Sequence, residues 1–264
     1  MIKRSLITAT ALLVVTLAAA GCRPALQTDR DTLYQVSSIS ALMQGVYEGS
    51  MAVGDLRKYG DFGLGTFEAL DGEMVELDGK FYQVKVDGTV VAVPDGLKTP
   101  FAAVTFFDND KSYTLDRPVD LPGLQTYIDS LLPSLNLFYA VRVEGLFSNM
   151  KTRSVPAQAM PYLTLTDAVK SQQVSEFRDV EGTMIGFRCP PYVDGVNVPG
   201  YHFHFLDKER KRGGHVLACT TSDVRINIDN TASMIMALPE TASFYRVDMG
   251  KAAPEGLKQV EQGK

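Results

Sequence analysis

The chain holds three histidines, His202, His204 and His215, and all of them fall in one short window, YHFHFLDKERKRGGHV, residues 201–216. Imidazole suits borderline metal ions and proton transfer near neutral pH. On a strand, His202 and His204 project from one face about 7 Å apart, with Phe203 on the other face. The run D207-K-E-R-K-R-G-G214 is a polar turn ending in glycines. A turn centred between Glu209 and Arg210 brings His215 back opposite His204, where cross-strand side chains stand about 5 Å apart. Three imidazoles then converge with a fourth coordination position open. That is the arrangement of a catalytic zinc site, whereas a structural site is closed by a fourth protein ligand. Zinc is the expected ion; iron, nickel or copper also accept imidazole.

Two other readings use the same residues. An H-x-H pair can be two surface histidines, although gathering every histidine of the chain on one hairpin argues against it. With Glu209, the window also carries the H-x-H-x4-E spacing of a cupin metal motif. A cupin's remaining histidine should come from a separate later motif, and Glu209 lies in the charged turn, where a solvated carboxylate is expected.

The elements that must position this hairpin are β-rich. The expected fold class is α+β: two β-rich halves, residues 32–160 and 161–249, each opened by a helix, with a hint of a duplicated unit. In the first half, Val36 to Gly45 is a short amphipathic helix with serines near its start. Asp71-Gly72, Asp78-Gly79 and Asp87-Gly88 punctuate strands, because primed turns need positive φ. F81-Y-Q-V-K-V-D alternates as a half-buried strand does. Leu121 to Leu132 has helical spacing that Pro133 ends, and Asn136 to Gly145 is a strand. In the second half, Thr164 to Gln173 is a helix with Thr164 or Thr166 as cap, Val180 to Cys189 is a strand, and V224-R-I-N-I-D alternates. The tail, residues 250–264, is polar with Pro254 and Gly256, and by composition alone reads as disordered.

The formal net charge of −5 and charged fraction of 22% describe an ordinary globular chain. The one basic run, Lys208 to Arg212, lies in a turn, so no nucleic-acid partner is expected. The N-terminus, MIKRSLITATALLVVTLAAAGC, has Lys3 and Arg4, an apolar run from Leu6 to Ala20, then Gly21 and Cys22. Residues 1–21 read as a secretory signal, too short to span a membrane. A19-A-G-C22 resembles a bacterial lipobox, in which Cys22 becomes the lipidated first residue; the alternative is an ordinary A-x-A cleavage at Ala18–Ala20. Residues 22–31 then form a polar tether, and the expected location is exported, periplasmic or at the cell surface, held to a membrane through a lipid on Cys22. Cys189 and Cys219 remain, either paired or packed as free thiols.

Several runs together resemble the α-acetolactate decarboxylase family. They are L33-Y-Q-V-S-S-I-S-A-L-M-Q-G, G54-D-L-R-K-Y-G-D-F-G-L-G-T-F-E-A-L-D-G-E-M, K151-T-R, PGYHFHF (Pro199 to Phe205) and G213-G-H-V, in order from Leu33 onward. The resemblance implies that His202, His204 and His215 bind zinc, that Glu73 and Arg153 act in catalysis, and that Thr66 lies in the substrate pocket. It also implies a glutamate of the tail reaching back over the metal, by position Glu261, with Glu255 as the alternative; the tail would then be ordered. The implied reaction takes 2-acetolactate to acetoin and carbon dioxide through a metal-stabilised enediolate. No organic cofactor is expected, because the β-ketone is itself the electron sink. A homodimer is a further implication. Two other functions share these residues: a cupin-type metal enzyme, and a non-catalytic periplasmic zinc-binding lipoprotein.

Overall fold

The structure, a computed structural model, describes residues 30–251 and 254–262. The signal segment, Cys22 and nearly all of the expected tether lie outside the described residues. Among the described residues, no helix is long and apolar enough to cross a membrane.

The elements in chain order are β1 (Thr32–Val36), α1 (Ile39–Met43), β2 (Met51–Ala52), α2 (Val53–Leu56), β3 (Phe62–Thr66), β4 (Glu73–Leu77), β5 (Lys80–Val84), β6 (Val90–Ala92), β7 (Lys98–Thr99), β8 (Ala102–Thr105), β9 (Lys111–Leu115), α3 (Leu121–Leu131), β10 (Phe138–Ser154), α4 (Leu165–Ala168), β11 (Gln173–Cys189), β12 (Gly200–Asp207), β13 (Gly213–Thr231), β14 (Ser233–Ala237), α5 (Ala242–Arg246) and α6 (Pro254–Gln262). Seven strands form one sheet in the order β14-β1-β8-β3-β4-β5-β6, in which only the β1–β14 pair is parallel. The second sheet runs β10-β11-β12-β13-β9, and β10 also pairs with β13, so four of its strands close into a ring. The α+β class is as expected.

The sheets do not divide at residue 160. β9 and β10, before that point, belong to the second sheet, and β14, after it, pairs with β1 in the first. Each sheet does contain a three-stranded antiparallel meander, β3-β4-β5 in the first and β11-β12-β13 in the second.

Local chemistry explains the elements. Asp78 and Gly79 take φ of 53° and 70°, the type I′ turn that joins β4 to β5 in two residues. Asp71-Gly72 instead ends a short 3-10 turn, Glu68–Leu70, so the β3–β4 connection is longer than a tight hairpin. The first helix is shorter than its pattern: Val36 belongs to β1, Ser37 turns at φ 65°, and the Ser38 hydroxyl accepts from the Ala41 N–H to cap α1. Asp120 caps α3 through Gly123. The Thr164 helix is one turn, α4, continued by a 3-10 turn, Val169–Ser171; Thr164 stands at its N-cap but bonds Asp167 rather than the backbone.

The tail contradicts its composition. Leu257 and Val260, three residues apart, are buried with Ile39, Leu42, Met43, Leu165 and Val169. Two apolar side chains on one face anchor α6, too few to shift an average over fifteen polar-rich positions. A larger core lies between the sheets, with Phe62, Leu64, Val75 and Val84 meeting Ile185, Phe187 and Leu206. Another lies on the far side of the second sheet, with Phe203, Phe205, Val216 and Leu124. Cys189 and Cys219 are both free and buried, one in each of these cores. Burial pushes both thiols up to about 12, so they pack as small apolar groups.

Candidate metal centre and active site

Register places the histidines. His204 pairs directly with His215 across β12–β13, as the turn geometry predicts. On the other side of β12, His202 pairs with Phe187 and His204 with Ile185. Directly paired residues share a face, so the imidazoles point with Phe187 and Ile185 toward the first sheet, while Phe203 and Phe205 fill the opposite core. Asp207 organises the turn by accepting from the Lys211 and Arg212 N–H groups, and Arg210 adopts φ 57°. Glu209 lies on that turn and is not brought to the histidines, so the cupin ligand set does not form.

Arg153 reaches the same face through an irregularity. Along β10, Val141, Val143 and Phe147 face the far core, and so does Met150. That change from odd to even accompanies register shifts at Leu146/Phe147 and Phe147/Asn149; a further shift at Lys151/Thr152 precedes Arg153, which pairs with His215. A β-bulge re-aims every side chain beyond it. Without one, residue 153 would follow the odd positions into the wrong core. Glu73 opens β4 of the first sheet opposite Thr66. The guanidinium of Arg153 donates from Nη1 to Glu73 Oε1 at 2.9 Å, an ion pair between the two sheets with both side chains almost fully buried.

Around this pair the ligand atoms of the three histidines all lie within 4.8 Å of one another. His202 Nε2 is 3.2 Å from both His204 Nε2 and His215 Nδ1. Two carbonyls set the tautomers: His204 Nδ1–H donates to Met74 O at 2.7 Å, and His215 Nε2–H to Glu261 O at 3.1 Å. Both rings therefore turn a lone pair inward. Burial first, with the positive Arg153 adding to it, lowers His202 to about 3, and burial also holds His204 and His215 well below the usual range. All three are neutral imidazoles.

Glu261, on α6, brings Oε2 to 3.6 Å from His202 Nε2, and that oxygen has no hydrogen-bond partner. Glu73 Oε2 lies 3.5 Å from His204 Nε2. Burial raises both carboxyls to about 7 against the opposing pull of Arg153. Glu255 lies on the same helix, but its side chain is outside the described residues. Thr66 lines the cavity, and its hydroxyl donates to Gly72 O at 2.7 Å. Ile39, Leu42, Leu70, Phe101 and Leu165 supply apolar walls that sequence reasoning did not single out, although Ile39 and Leu42 stand in the quoted first run. The space between these side chains is about 30 Å³, roughly the share of one water molecule. A groove of about 720 Å³ runs beside it along α3, β13 and α6, and His215 and Glu261 line both.

The site is thus a small buried chamber with three neutral nitrogen donors, two carboxyls raised to about 7 and one buried guanidinium. Such a set can hold a divalent cation, orient a carboxylate and pass a proton. The family model described as alpha-acetolactate decarboxylase matches residues 33–251; Glu261 lies just beyond that match. An alpha-acetolactate decarboxylase of Methanosarcina mazei is 50% identical over 88% of this chain and 81% of its own. One from Bacillus subtilis strain 168 is 41% identical over 87% of this chain and 89% of its own. The crystal structure of alpha-acetolactate decarboxylase from Bacillus subtilis strain 168 superposes with a TM-score of 0.86 at 39% identity, covering 88% of this chain and all of that one. The chain belongs to the alpha-acetolactate decarboxylase family, and so to the decarboxylase class of enzymes.

Proposed function

We propose that this protein decarboxylates 2-acetolactate to acetoin and carbon dioxide with a zinc ion held by His202, His204 and His215. The observation that carries the metal is the inward set of ring nitrogens. Met74 O and Glu261 O fix two lone pairs inward, and the single N–H of a neutral His202 can satisfy only one of them. His202 Nδ1 is also left without a partner. A divalent cation satisfies all three inner nitrogens, and imidazole suits zinc. Bound there, it would supply Lewis-acid stabilisation of negative charge on the substrate's oxygens.

The chain's own residues account for the remaining steps. In 2-acetolactate the carboxylate and the ketone are attached to one hydroxyl-bearing carbon. As the carbon–carbon bond to the carboxylate breaks, its electron pair passes onto the ketone oxygen as an enediolate, and carbon dioxide leaves. Arg153 is placed to orient the departing carboxylate and then to balance the charge left behind. Burial keeps water from quenching that charge. A proton must then reach the central carbon. Glu73 and Glu261, both raised to about 7, can each hold one at neutral pH, and the carboxyl that delivers it sets the configuration of acetoin. The ketone serves as electron sink, so no organic cofactor enters. The chamber is too small for the whole substrate while α6 is docked, and the adjoining groove supplies the approach past Glu261.

The test is acetoin and carbon dioxide release from 2-acetolactate, with and without chelator. Chelator-sensitive turnover restored by zinc is expected. A chain that binds zinc and yields no acetoin would favour the non-catalytic zinc-binding lipoprotein instead. We propose further that the protein is exported and lipid-anchored at Cys22, and that it is a homodimer. Radioactive fatty-acid labelling that is lost in Cys22→Ser supports the anchor, and unlabelled protein refutes it. Sedimentation at the mass of one chain refutes the dimer.

A further inference from the structure

The C-terminal helix touches the metal centre twice, by different atoms. One contact is the Glu261 carboxylate, near His202. The other is the Glu261 main-chain carbonyl, which accepts from His215 Nε2 at 3.1 Å. The second contact depends on no side chain at position 261. It requires only that α6 be docked, which Leu257 and Val260 accomplish by inserting among Ile39, Leu42, Met43, Leu165 and Val169. An imidazole offers one lone pair when neutral, and the hydrogen bond on its far nitrogen decides which atom carries it. Met74 does this for His204 from a strand interior. For His215 the same duty falls to the last helix of the chain.

Resting on the metal reading above, we propose that docking of α6 is a metal-retention device, with the main-chain carbonyl of residue 261 as the positioning group for His215. Release of the helix frees His215 Nε2–H from its acceptor, so the ring can turn or change tautomer and cease to present Nδ1. Metal affinity and helix docking are then thermodynamically linked. Whatever factor docking adds to metal affinity, bound metal must add to docking. Since α6 also carries one wall of the chamber, opening the site to substrate and loosening the metal are two effects of one motion, which limits how far the helix can swing in a working cycle.

The test follows zinc, not turnover. Zinc-loaded full chain is mixed with a chromophoric chelator, and zinc release is timed. The comparisons are a chain truncated after Lys251, the double variant Leu257→Asp/Val260→Asp, which undocks the helix but keeps residue 261, and Glu261→Ala, which keeps helix and carbonyl. Losing an outer partner of a metal-bound histidine costs roughly 10- to 100-fold in affinity, so truncation and undocking should speed release by about that factor. Glu261→Ala should stay nearer the intact chain. Release from Glu261→Ala as fast as from the truncated chain would assign retention to the carboxylate and overturn the proposal, as would unchanged release on undocking. Because truncation can disturb folding, amide exchange of residues 257–261 in the intact chain is compared with and without zinc. Slower exchange with zinc is expected; equal exchange refutes the linkage. A full chain that takes up no zinc at all would overturn the metal reading itself, whereas zinc uptake without coupling overturns this inference alone.

Discussion

Replacing Glu73 by Gln should make the metal-free protein more stable and the loaded enzyme nearly inactive. Glu73 is buried beside Arg153, and burial outweighs the ion pair: its carboxyl rises from 4.5 to about 7. A carboxyl whose folded pKa lies above its unfolded value is penalised in its ionised form. The penalty is negligible well below pH 4.5, grows as pH climbs, and levels off once pH passes about 7. At about 1.36 kcal/mol per pH unit, its ceiling is about 3 kcal/mol. Gln has nearly the same shape, keeps an oxygen for Arg153 Nη1 to donate to, and carries no charge to desolvate. The variant should therefore gain about 3 kcal/mol at pH 8 and under about 1 kcal/mol at pH 5. For a chain of this size that is a rise in melting temperature of about 6–12 °C at pH 8. The assay is thermal unfolding in chelator at both pH values, paired with turnover in zinc. Turnover should fall about 10²- to 10⁴-fold, the usual worth of a positioned proton-transfer group. A variant less stable than the parent at pH 8, or a difference that ignores pH, would show that Arg153 compensates Glu73 fully and that the carboxyl is an ordinary ion-pair partner. A stabilised variant with parental turnover would remove Glu73 from the chemistry.

Three further outcomes are expected. His204→Ala should lose zinc and turnover together, read by metal analysis and acetoin release, and retention of either one breaks the three-histidine assignment. Arg153→Lys keeps the charge but not the planar fork; turnover should drop about 10²-fold or more with zinc content unchanged, and full turnover would make Arg153 a structural cation. Glu76 is buried on β4 with both carboxyl oxygens unpartnered, and burial holds it well above the usual carboxylate range. Glu76→Gln should raise stability at neutral pH by about 1–3 kcal/mol and leave turnover alone, since strand alternation points residue 76 away from the face of Glu73; a loss of turnover would contradict that geometry.

Much of the fold could be read from local pattern. Period-two alternation found the strands around Phe81 and Val224, and Asp78-Gly79 announced the I′ turn that fixes the β4–β5 register. What escaped was long-range. That β14 would lie parallel beside β1, some two hundred positions earlier, leaves no mark on either strand. The polar tail read as loose because helix stability here comes from Leu257 and Val260 meeting residues of α1 and α4, and such meetings are invisible to composition.

The site divides along the same line, and the division has a cause. The histidine triad was legible because its geometry is local: one hairpin, period two, one turn of known length, and the pairing of His204 with His215 follows. Glu73 and Arg153 were not legible from the residues alone, and only the family resemblance named them. For Glu73 the obstacle is distance, since it reaches the histidines from a different sheet. For Arg153 the obstacle is sharper. Strand periodicity, applied faithfully from Val141 onward, points residue 153 into the wrong core, and the register shifts in β10 reverse it. A bulge costs ladder hydrogen bonds; Val141 and Val143 reach the core of the second sheet before the first shift, and Phe147 and Met150 reach it within and beyond the shifted stretch. Beyond the shifts the strand also turns a guanidinium inward to meet Glu73 beside three imidazoles. At this position the sequence rule fails because the strand departs from regularity, and with it the side chain at 153 changes sides of the sheet.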